Sequence, residues 1–439
     1  MAKVVRRHWI TEAEPGVARR DRRSCDYEAY VPDLLTGRKL LFEGSTAADI
    51  ADAERAVAVM DTGASTLVDT EALARILLRA ECVASSRIEG LEVGARRLLR
   101  AEAAIDLGEE PADVTAAEVL GNIDAMSAAI RHIKPEDPIT IESMLDFHRR
   151  LLSGTRLEAH AGRIRSEQNW IGGSDYNPCS AAFIPPPPEY VRGLLEDLCE
   201  FCNDDELPAV AQAAMAHAQF ETIHPFVDGN GRTGRALIHF VLRRRGLATR
   251  VLPPISLVLA TWAKDYVEGL QGTRYRGPVS SVRAQSGINV WVGRFAAACV
   301  RAAADAAGFE KRSRLLQEEW RAQVGPVRAN SAADLLLRAL PGAPLITVTS
   351  AAALIGRTFA PANDAIKRLE GAGILRPISV GRRNRAFEAT GVIEAFTALE
   401  RQLASPRGNT LTREPSRAVP YRQAATGKDR AGSSPRDNA

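Results

Sequence analysis

Long apolar segments are missing from this chain of 439 residues. Although 45% of the residues are hydrophobic, no run approaches the roughly 18 apolar residues that a membrane-spanning helix needs. The first residues, MAKVVRRHWITEAEPG, also lack the apolar stretch of a secretory signal. We therefore expect a cytoplasmic protein with no membrane partner.

Cysteine is scarce, with six residues scattered along the chain. The only close pair, in CEFC at 199–202, has neither a second pair nor a nearby histidine to complete a zinc site. The pattern predicts reduced, structural thiols.

Excess charge is also small, because 57 Lys and Arg residues oppose 54 Asp and Glu residues for a net charge of +3. This balance lacks the strong basicity that would by itself indicate a nucleic-acid partner. Residues 405–439 carry seven basic and three acidic residues among Ser, Pro, Gly and Thr. Such a composition predicts a disordered tail.

Helical periodicity dominates the rest of the chain, and its length suggests two or three domains. Residues 1–44 look like an irregular lead-in, whereas 70–88, 114–131, 139–153 and 231–245 are expected to be helices. Gly90 is placed to end the first of these four. The third contains His148, which we expect to be a hydrogen-bonded core residue. Residues 163–188 resemble a hairpin, so the predicted fold is all-α with a small β-hairpin.

One stretch, ETIHPFVDGNGRTGRALIHF at 221–240, has no structural reason for its three close glycines, which are costly in a helix. An EF-hand is excluded because Arg232 and His239 stand where calcium ligands are required. A P-loop is excluded because Arg235 and Ala236 replace its Lys and hydroxyl residue. The spacing G-x-G-x-x-G is present, but a helix precedes it where a dinucleotide fold has a buried strand.

The same residues suit a bound polyphosphate. Glycines allow backbone amides to converge at a helix start, where unpaired N–H groups and the helix dipole attract phosphate. Arg232 and Arg235 add guanidinium forks for phosphate oxygens. Asp228 would repel a phosphate unless a bridging Mg²⁺ lay between them. His224 supplies a base that titrates near neutrality.

The stretch HPFVDGNGRTGR matches every defined position of the Fic family motif, H-x-F-x-[DE]-G-N-G-R-x-x-R. The resemblance extends over roughly residues 70 to 300, and the predicted hairpin resembles the family's substrate-binding flap. It implies a helical core that transfers AMP from ATP to a Tyr, Ser or Thr hydroxyl of a target protein. The cofactor implied is Mg²⁺, with Mn²⁺ as a substitute.

The resemblance also assigns roles to individual residues. His224 would deprotonate the target hydroxyl, Phe226 would anchor the loop, and Asp228 would hold the metal. Arg235 would grip the γ-phosphate and Tyr266 would lie by the nucleoside. The implied ATP-binding residues are Gly229, Asn230, Gly231, Arg232, Thr233, Gly234, Arg235, Tyr266 and Glu89.

An inhibitory helix is implied at about residues 70–90, because SSRIEG resembles the family's signature [ST]-x-x-x-E-[GN]. Ser85, Glu89 and Gly90 occupy the matching positions. Our hypothesis is that Glu89 pairs with Arg235 and takes the place of the γ-phosphate.

A second, C-terminal unit is expected to begin near Ser331 and to contain a helix, a short strand, two helices and two strands. Its residues 348–390, VTSAAALIGRTFAPANDAIKRLEGAGILRPISVGRRNRAFEAT, resemble a winged helix. Its candidate DNA contacts are Asn363, Lys367 and Arg368 on a recognition helix and Arg382, Arg383 and Arg385 on a wing. Docking of a protein partner is the alternative to DNA. The predicted domains are an N-terminal region at 1–110, the Fic core at 111–305, the winged-helix-like domain at 328–404 and the tail at 405–439.

Two rival functions remain open at this point. One is removal of AMP from a modified protein by the same loop, and the other is a DNA-binding regulator whose Fic-like core senses nucleotide. The family resemblance also leaves homodimerisation and self-modification open. Flap residues such as Asn169, Trp170, Ile171 and Ala182 to Ile184 would bind a target through backbone pairing, which does not reveal its identity.

Overall fold

Helices make up most of the structure, a computed structural model that describes residues 1–11, 21–64, 70–380, 384–389 and 391–394. The predicted all-α character is confirmed. Within these residues the helices of the first unit are α1 (Gly44–Ala64), α2 (Thr70–Ile88), α3 (Ala95–Asp106), α4 (Val114–His132), α5 (Ile141–Leu152), α6 (Pro188–Asn203), α7 (Ala209–Ile223), α8 (Asn230–Arg244), α9 (Ile255–Thr261), α10 (Ala263–Gly272) and α11 (Val282–Val324).

The centre of the main core is α7, every residue of which is buried. Its sequence, AVAQAAMAHAQFETI, is rich in alanine, and these small side chains let neighbouring helices approach closely. Trp291 of α11 donates its indole N–H to the carbonyl of Ala214 at 2.8 Å. Because α8 follows directly and is also largely buried, the loop between α7 and α8 has two rigid supports.

Helix α2 lies against α4, α8 and α9. It ends where predicted, with Gly90 in the left-handed region at φ 85°. Its buried residues include the polar side chains of Glu81 and Ser85. These two residues and Glu89 are four apart and therefore share one face of the helix.

The first 44 residues are not irregular as predicted, because β1 (Lys3–Trp9) and β2 (Cys25–Val31) form an antiparallel pair. The register runs from Lys3 opposite Val31 to Trp9 opposite Cys25. Charged residues stand on both faces of these strands and pair with each other, as Arg6 does with Glu28. The alternation of polar and apolar residues that reveals a half-buried strand is therefore weak.

The expectation of reduced cysteines is wrong for one pair, since Cys25 and Cys179 form a disulfide. They are 154 residues apart in the chain, and sequence spacing alone gives no sign that the fold brings them together. The other four cysteines are free.

The predicted flap is a minimal hairpin. Ile171 and Phe183 form an isolated antiparallel bridge, and the Ile171 amide donates to the Phe183 carbonyl at 2.8 Å. The first hairpin adjoins it, because the Tyr30 amide donates to the Ile184 carbonyl at 2.9 Å. Trp9 and Trp170 also meet edge to face, with ring centroids 5.3 Å apart.

The C-terminal unit has its own core, built on Trp320 at the end of α11 and on the elements that follow. The order helix, strand, two helices, two strands is the one predicted. The elements are α12 (Ala332–Ala339), β3 (Leu345–Ile346), α13 (Val348–Leu354), α14 (Phe359–Gly371), β4 (Leu375–Val380) and β5 (Asn384–Ala389).

The three strands of this unit form an antiparallel sheet in the order β3-β5-β4. Its winged-helix character stays a prediction, and Arg382, Arg383 and the tail at 405–439 lie outside the described residues. None of the described helices combines the length and apolarity needed to cross a membrane.

Candidate active site

His224 is the residue after α7, and its backbone is left-handed at φ 50°. The conformation is uncommon for a residue with a side chain. Its amide still donates to Phe220, at 2.9 Å, while its carbonyl accepts from Arg165 Nε at 2.8 Å and Asn169 Nδ2 at 3.2 Å. Residues at the base of the flap thus fix the histidine loop.

The imidazole of His224 is only 19% exposed. Burial, followed by the positive charges of Arg165 and Arg274, lowers the pKa of His224 to about 3. Its Nδ1 atom is buried and has no hydrogen-bond partner among the described residues. The predicted titration near neutrality is therefore wrong, because burial and the neighbouring arginines keep the imidazole neutral. A neutral imidazole can accept a proton, and its role as the base stays a prediction.

Phe226 holds the loop in the core, as the resemblance implies, because it is fully buried. It stacks on His148 with ring centroids 3.8 Å apart. The side chain of Asn230 bonds both backbone groups of Phe226, accepting from its amide and donating to its carbonyl, each at 2.8 Å. Asn230 therefore closes the loop, a role that the motif alone does not reveal.

His148 is the hydrogen-bonded core residue that the sequence predicted. Its Nδ1 accepts the Gly162 amide at 3.0 Å, so Nε2 must carry the proton that is donated to the Asp228 carbonyl at 2.9 Å. Burial lowers the pKa of His148 to about 4, which keeps this tautomer neutral. The ring braces the loop from below.

The start of α8 has the backbone geometry that the glycines predict, and its role as an anion site stays a prediction. Gly229 is left-handed at φ 76°, and a Cβ there would come within 3.1 Å of Leu151 and 3.3 Å of His148. Because the first amides of an α-helix have no intrahelical acceptor, those that follow Gly229 are available to a ligand.

Arg232 is buried beside this helix start, and its Nε and Nη1 atoms lack partners among the described residues. Its remaining nitrogen lies 3.5 Å from Asp228, whose side chain is 51% exposed. Buried donors without acceptors are costly and rare in native structures. These two donors are therefore available to a ligand oxygen. Thr233 is buried in the same turn with its hydroxyl unpartnered.

Arg235 is 1% exposed and forms the predicted ion pair, with Nη2 at 2.8 Å from Glu89 Oε1. Its Nε donates to Ser85 Oγ at 2.9 Å and Nη2 to the Ser85 carbonyl at 2.8 Å. Burial alone would lower the pKa of Arg235, but the charges of Glu89 and its neighbours raise it above its ordinary value. The guanidinium is charged at any ordinary pH.

Glu89 reaches the helix start itself. A Cβ on Gly231 would lie 1.9 Å from Glu89 Oε1, so the carboxylate rests on the space that glycine leaves. The side chain is 37% exposed and can therefore leave this position without unfolding the core. An acidic group occupies one of the places where an anion would bind.

A second contact between α2 and α8 was not predicted. Glu81 is fully buried, with Oε1 at 2.9 Å from His239 Nε2. Its other oxygen accepts the Ser256 amide at 2.8 Å. Glu81 and Ser85 are four residues apart on α2, and their partners His239 and Arg235 are four residues apart on α8. The two polar contacts therefore lie one helical turn apart along the same pair of helices.

Glu221 is another residue whose role the sequence did not reveal. Its side chain is buried, and its Oε1 atom has no hydrogen-bond partner among the described residues. Burial, opposed by Arg235 and reinforced by Glu89, raises the pKa of Glu221 to about 7. The one sequence signal is its place in ETIH, three residues before His224.

Tyr266 of α10 lies below the site. It is buried, with its hydroxyl 2.9 Å from His217 Nε2, and its ring is stacked on that histidine at 5.8 Å. Burial raises the pKa of Tyr266 above its ordinary value. Its contact with a nucleoside stays a prediction.

The metal chemistry predicted for Asp228 fits its surroundings. No group of three or more His, Cys, Asp or Glu side chains suited to a metal occurs in the described ranges. Mg²⁺ bound with a nucleotide, however, commonly uses one or two carboxylates together with the phosphates. The half-exposed Asp228 beside the helix start matches that donor set.

Fold and site together define a class of protein: a helical domain that brings one helix start, two buried guanidinium groups and a neutral imidazole together at one site. Residues 138–242 match the model of the Fic/DOC family, and residues 47–131 match that of the Fic/DOC family N-terminal region. These two regions of the chain are therefore similar to the Fic/DOC family.

Curated relatives carry the name protein adenylyltransferase. The Caenorhabditis elegans relative fic-1 is 36% identical over 158 residues, which are 34% of this chain and 27% of the relative. Fic of Drosophila melanogaster is 34% identical over 139 residues, 31% of this chain and 26% of the relative. The matches thus span about a quarter of these relatives.

Solved structures are also similar. A Fic family protein from Desulfovibrio desulfuricans is 20% identical, with 80% of this chain and 97% of that chain covered and a TM-score of 0.49. Fic-1 of C. elegans is 26% identical, with 61% and 74% covered and a TM-score of 0.44.

Proposed function

We propose that this protein transfers AMP from ATP to a hydroxyl side chain of a target protein. The observation that carries the proposal is the neutral His224 next to a helix start whose buried Arg232 donors lack an acceptor. The named activity of the relatives in the matched region supports the same reaction.

The chain's own residues supply positioning and charge. His224 accepts the proton of the target hydroxyl, whose oxygen then forms a bond to the α-phosphorus. The bond from that phosphorus to the bridging oxygen breaks, and pyrophosphate leaves with its electron pair. The amides of the α8 start, Arg232 and Arg235 stabilise the negative charge during this transfer. Mg²⁺ held by Asp228 would neutralise phosphate charge when bound.

We propose further that Glu89 restrains this reaction. Its carboxylate oxygen Oε1 lies 2.8 Å from Arg235 Nη2. In the proposed reaction this nitrogen would otherwise bind the γ-phosphate. A charge-assisted hydrogen bond of this kind is worth about 1.5 to 3 kcal/mol, or roughly ten-fold to a hundred-fold in an equilibrium. ATP must displace the carboxylate or bind unproductively.

The first test is Glu89→Gly, which removes the carboxylate at a position exposed enough to tolerate the change. We expect the purified variant to transfer roughly ten-fold to a hundred-fold more labelled AMP to proteins of a cell extract than the parent. Labelled ATP, Mg²⁺ and gel autoradiography provide the measurement, and bands from the protein itself report self-modification.

The matched control is the double variant Glu89→Gly, His224→Ala, which keeps the open site and loses the base. It should transfer no AMP above background. Equal labelling by the parent and Glu89→Gly would contradict the restraint, and absence of labelling by both would contradict the proposed transfer. Release of AMP from labelled extract by the parent would instead favour the reverse reaction.

For the C-terminal unit we favour docking of a protein partner over DNA. Arg368, expected to face a DNA groove, donates to the Pro326 carbonyl at 2.6 Å. Lys367 lies 4.0 Å from Asp364, which dilutes its charge. Salt-dependent binding of the full chain to duplex DNA would contradict this choice.

A further inference from the structure

We propose that Glu221 is a positioning residue for His224: its carboxylate accepts the proton on Nδ1 and so leaves Nε2 as the basic atom. The inference rests on the proposed AMP transfer and deepens it. It concerns a carboxylate outside the residues that the Fic motif defines.

The geometry brings the two groups together inside the fold. Glu221 Oε2 lies 4.0 Å from His224 Nδ1. Nδ1 and the other carboxylate oxygen, Oε1, are both buried without partners among the described residues. Since buried polar atoms in native proteins are nearly always paired, a small side-chain rotation that brings a carboxylate oxygen to Nδ1 would give that nitrogen an acceptor.

Space for the carboxylate is built into the neighbouring helix. A Cβ on Gly234 would lie 2.7 Å from Glu221 Oε1, closer than any real contact allows. Glycine at this position of α8 is therefore what lets the carboxylate sit beside the histidine loop. The motif treats the position as variable, so a need to accommodate Glu221 explains the residue found here.

The chemistry requires such a group. Arg165 and Arg274, together with burial, hold the pKa of His224 at about 3, which makes the ring a weak base near neutral pH. A carboxylate at Nδ1 favours the charged imidazolium that forms when Nε2 takes the hydroxyl proton. The Nδ1 proton stays on its nitrogen throughout, as in hydrolase triads in which a carboxylate orients the histidine.

One competitor for the Nδ1 proton is the main-chain carbonyl of Glu221, which also acts to raise the pKa of His224. The carbonyl has no net charge, and every substitution at position 221 retains it. Glu221→Gln therefore removes the negative charge alone and separates the two acceptors.

The carboxylate must be ionised to act. Its pKa of about 7 reflects burial first, then the opposing charges around it. The charged and titratable groups that face it come from four parts of the fold: Glu89 of α2, His217 and His224 at α7, Arg235 of α8, and Tyr266 and Arg274 at and after α10. We expect kcat to rise with pH as Glu221 loses its proton, and loss of Glu89 moves this rise to lower pH because a repelling charge is gone.

The experiment uses Glu89→Gly as the parent, so that inhibition does not mask the rate. Three double variants are compared with this parent, each carrying one further substitution: Glu221→Gln, Glu221→Asp or, as a control, Asp61→Asn. The control neutralises another buried carboxylate, which accepts hydrogen bonds from the backbone of residues 249–251. Labelled ATP is varied at fixed extract, and rates are taken from pH 5.5 to 8.5.

The Gln variant should lose roughly ten-fold to a hundred-fold in kcat, with KM for ATP nearly unchanged, and should lose the rise with pH. The Glu221→Asp variant should recover part of the rate and part of the increase of kcat with pH. The Asp61→Asn variant should keep both the rate and that pH dependence. In ¹⁵N NMR, His224 of the Glu89→Gly parent should be the Nδ1–H tautomer.

Two failures are distinguishable. If the Glu89→Gly parent transfers no AMP, the proposed function fails, and with it the reaction that Glu221 would serve. If the parent is active and Gln matches it in kcat and pH profile, only the role of Glu221 is overturned. If the Gln variant does not fold, the kinetics of the Glu221→Asp variant and the tautomer of His224 in the parent test the inference. A parent in which His224 carries its proton on Nε2 overturns it.

Discussion

Gly234 shows how one hydrogen atom shapes the site. Replacing it with alanine would place a Cβ 2.7 Å from Glu221 Oε1 and 2.9 Å from Phe220 Cδ1. Because Phe220 is fully buried, the added methyl group strains the core. We expect Gly234→Ala to lower the free energy of unfolding by about 1 to 3 kcal/mol, measured by urea denaturation.

Gly193 offers the matched control, since it lies exposed in α6 with open space where its Cβ would be. Alanine there should stabilise the protein by about 0.5 to 1 kcal/mol through helix propensity alone. A loss at position 193 as large as that at 234 would show that crowding around the added methyl group at position 234 is not the cause.

The residues that the Fic motif names were easier to recognise in the sequence than the residues that hold them in place. His224, Arg235 and Glu89 carry motif spacings that local chemistry explains. Asn230 bonds the backbone of the loop, and Glu221 lies beside the buried ring of His224. Both residue types are also common at a solvent-exposed helix start, so their identity alone does not reveal these roles. Such roles depend on how two helices pack together, and the residue spacing within one segment of sequence does not reveal that packing.

At the scale of elements, the pairing of α2 with α8 sets the position of Glu89. Glu81 anchors that pairing in the core through His239 and Ser256. Glu81→Ala should lower the free energy of unfolding by about 1 to 3 kcal/mol in urea, since it leaves the buried amide and hydroxyl of Ser256 without their acceptor.

The control lies on the same helix, where Glu71 pairs with Arg75 at 3.0 Å on the surface. Glu71→Ala should cost less than about 1 kcal/mol, because water screens an exposed pair. Equal losses for the two substitutions would mean that Glu81 contributes no more than a surface charge.

Element prediction succeeded where periodicity was strong. The expected helices at 70–88, 114–131 and 231–245 correspond to α2, α4 and α8 within a residue or two. The strands β1 and β2 were not predicted, because charged residues occupy both faces of the pair and many residues separate the two strands in the sequence. Helix α3 was not predicted either, although its apolar residues Leu98 and Leu99 are buried.

For the whole molecule, buried histidines make stability depend on pH. The pKa values of His148, His217 and His224 fall to about 4, 3 and 3, chiefly by burial, while that of Glu221 rises to about 7. Between about pH 4.5 and 6.5 the unfolded chain therefore binds protons at three histidines, and the folded chain binds one at Glu221.

The difference of about two protons means that stability falls as pH decreases through this window, by up to about 3 kcal/mol per pH unit. Urea denaturation at pH 7, 6 and 5 measures the slope. His148→Phe removes one histidine from the balance and should make the slope shallower, whatever it does to stability at pH 7. A profile that is flat from pH 7 to 5 would contradict the neutral, buried state of these rings.

The bond between Cys25 and Cys179 joins β2 covalently to the flap and closes the chain between these two residues into a ring. Dithiothreitol opens that ring and leaves the flap attached to its neighbour through noncovalent contacts, such as the stacking of Trp9 on Trp170. Samples purified with and without a thiol reagent are thus different starting materials for capturing a target. Results from the two belong in separate series.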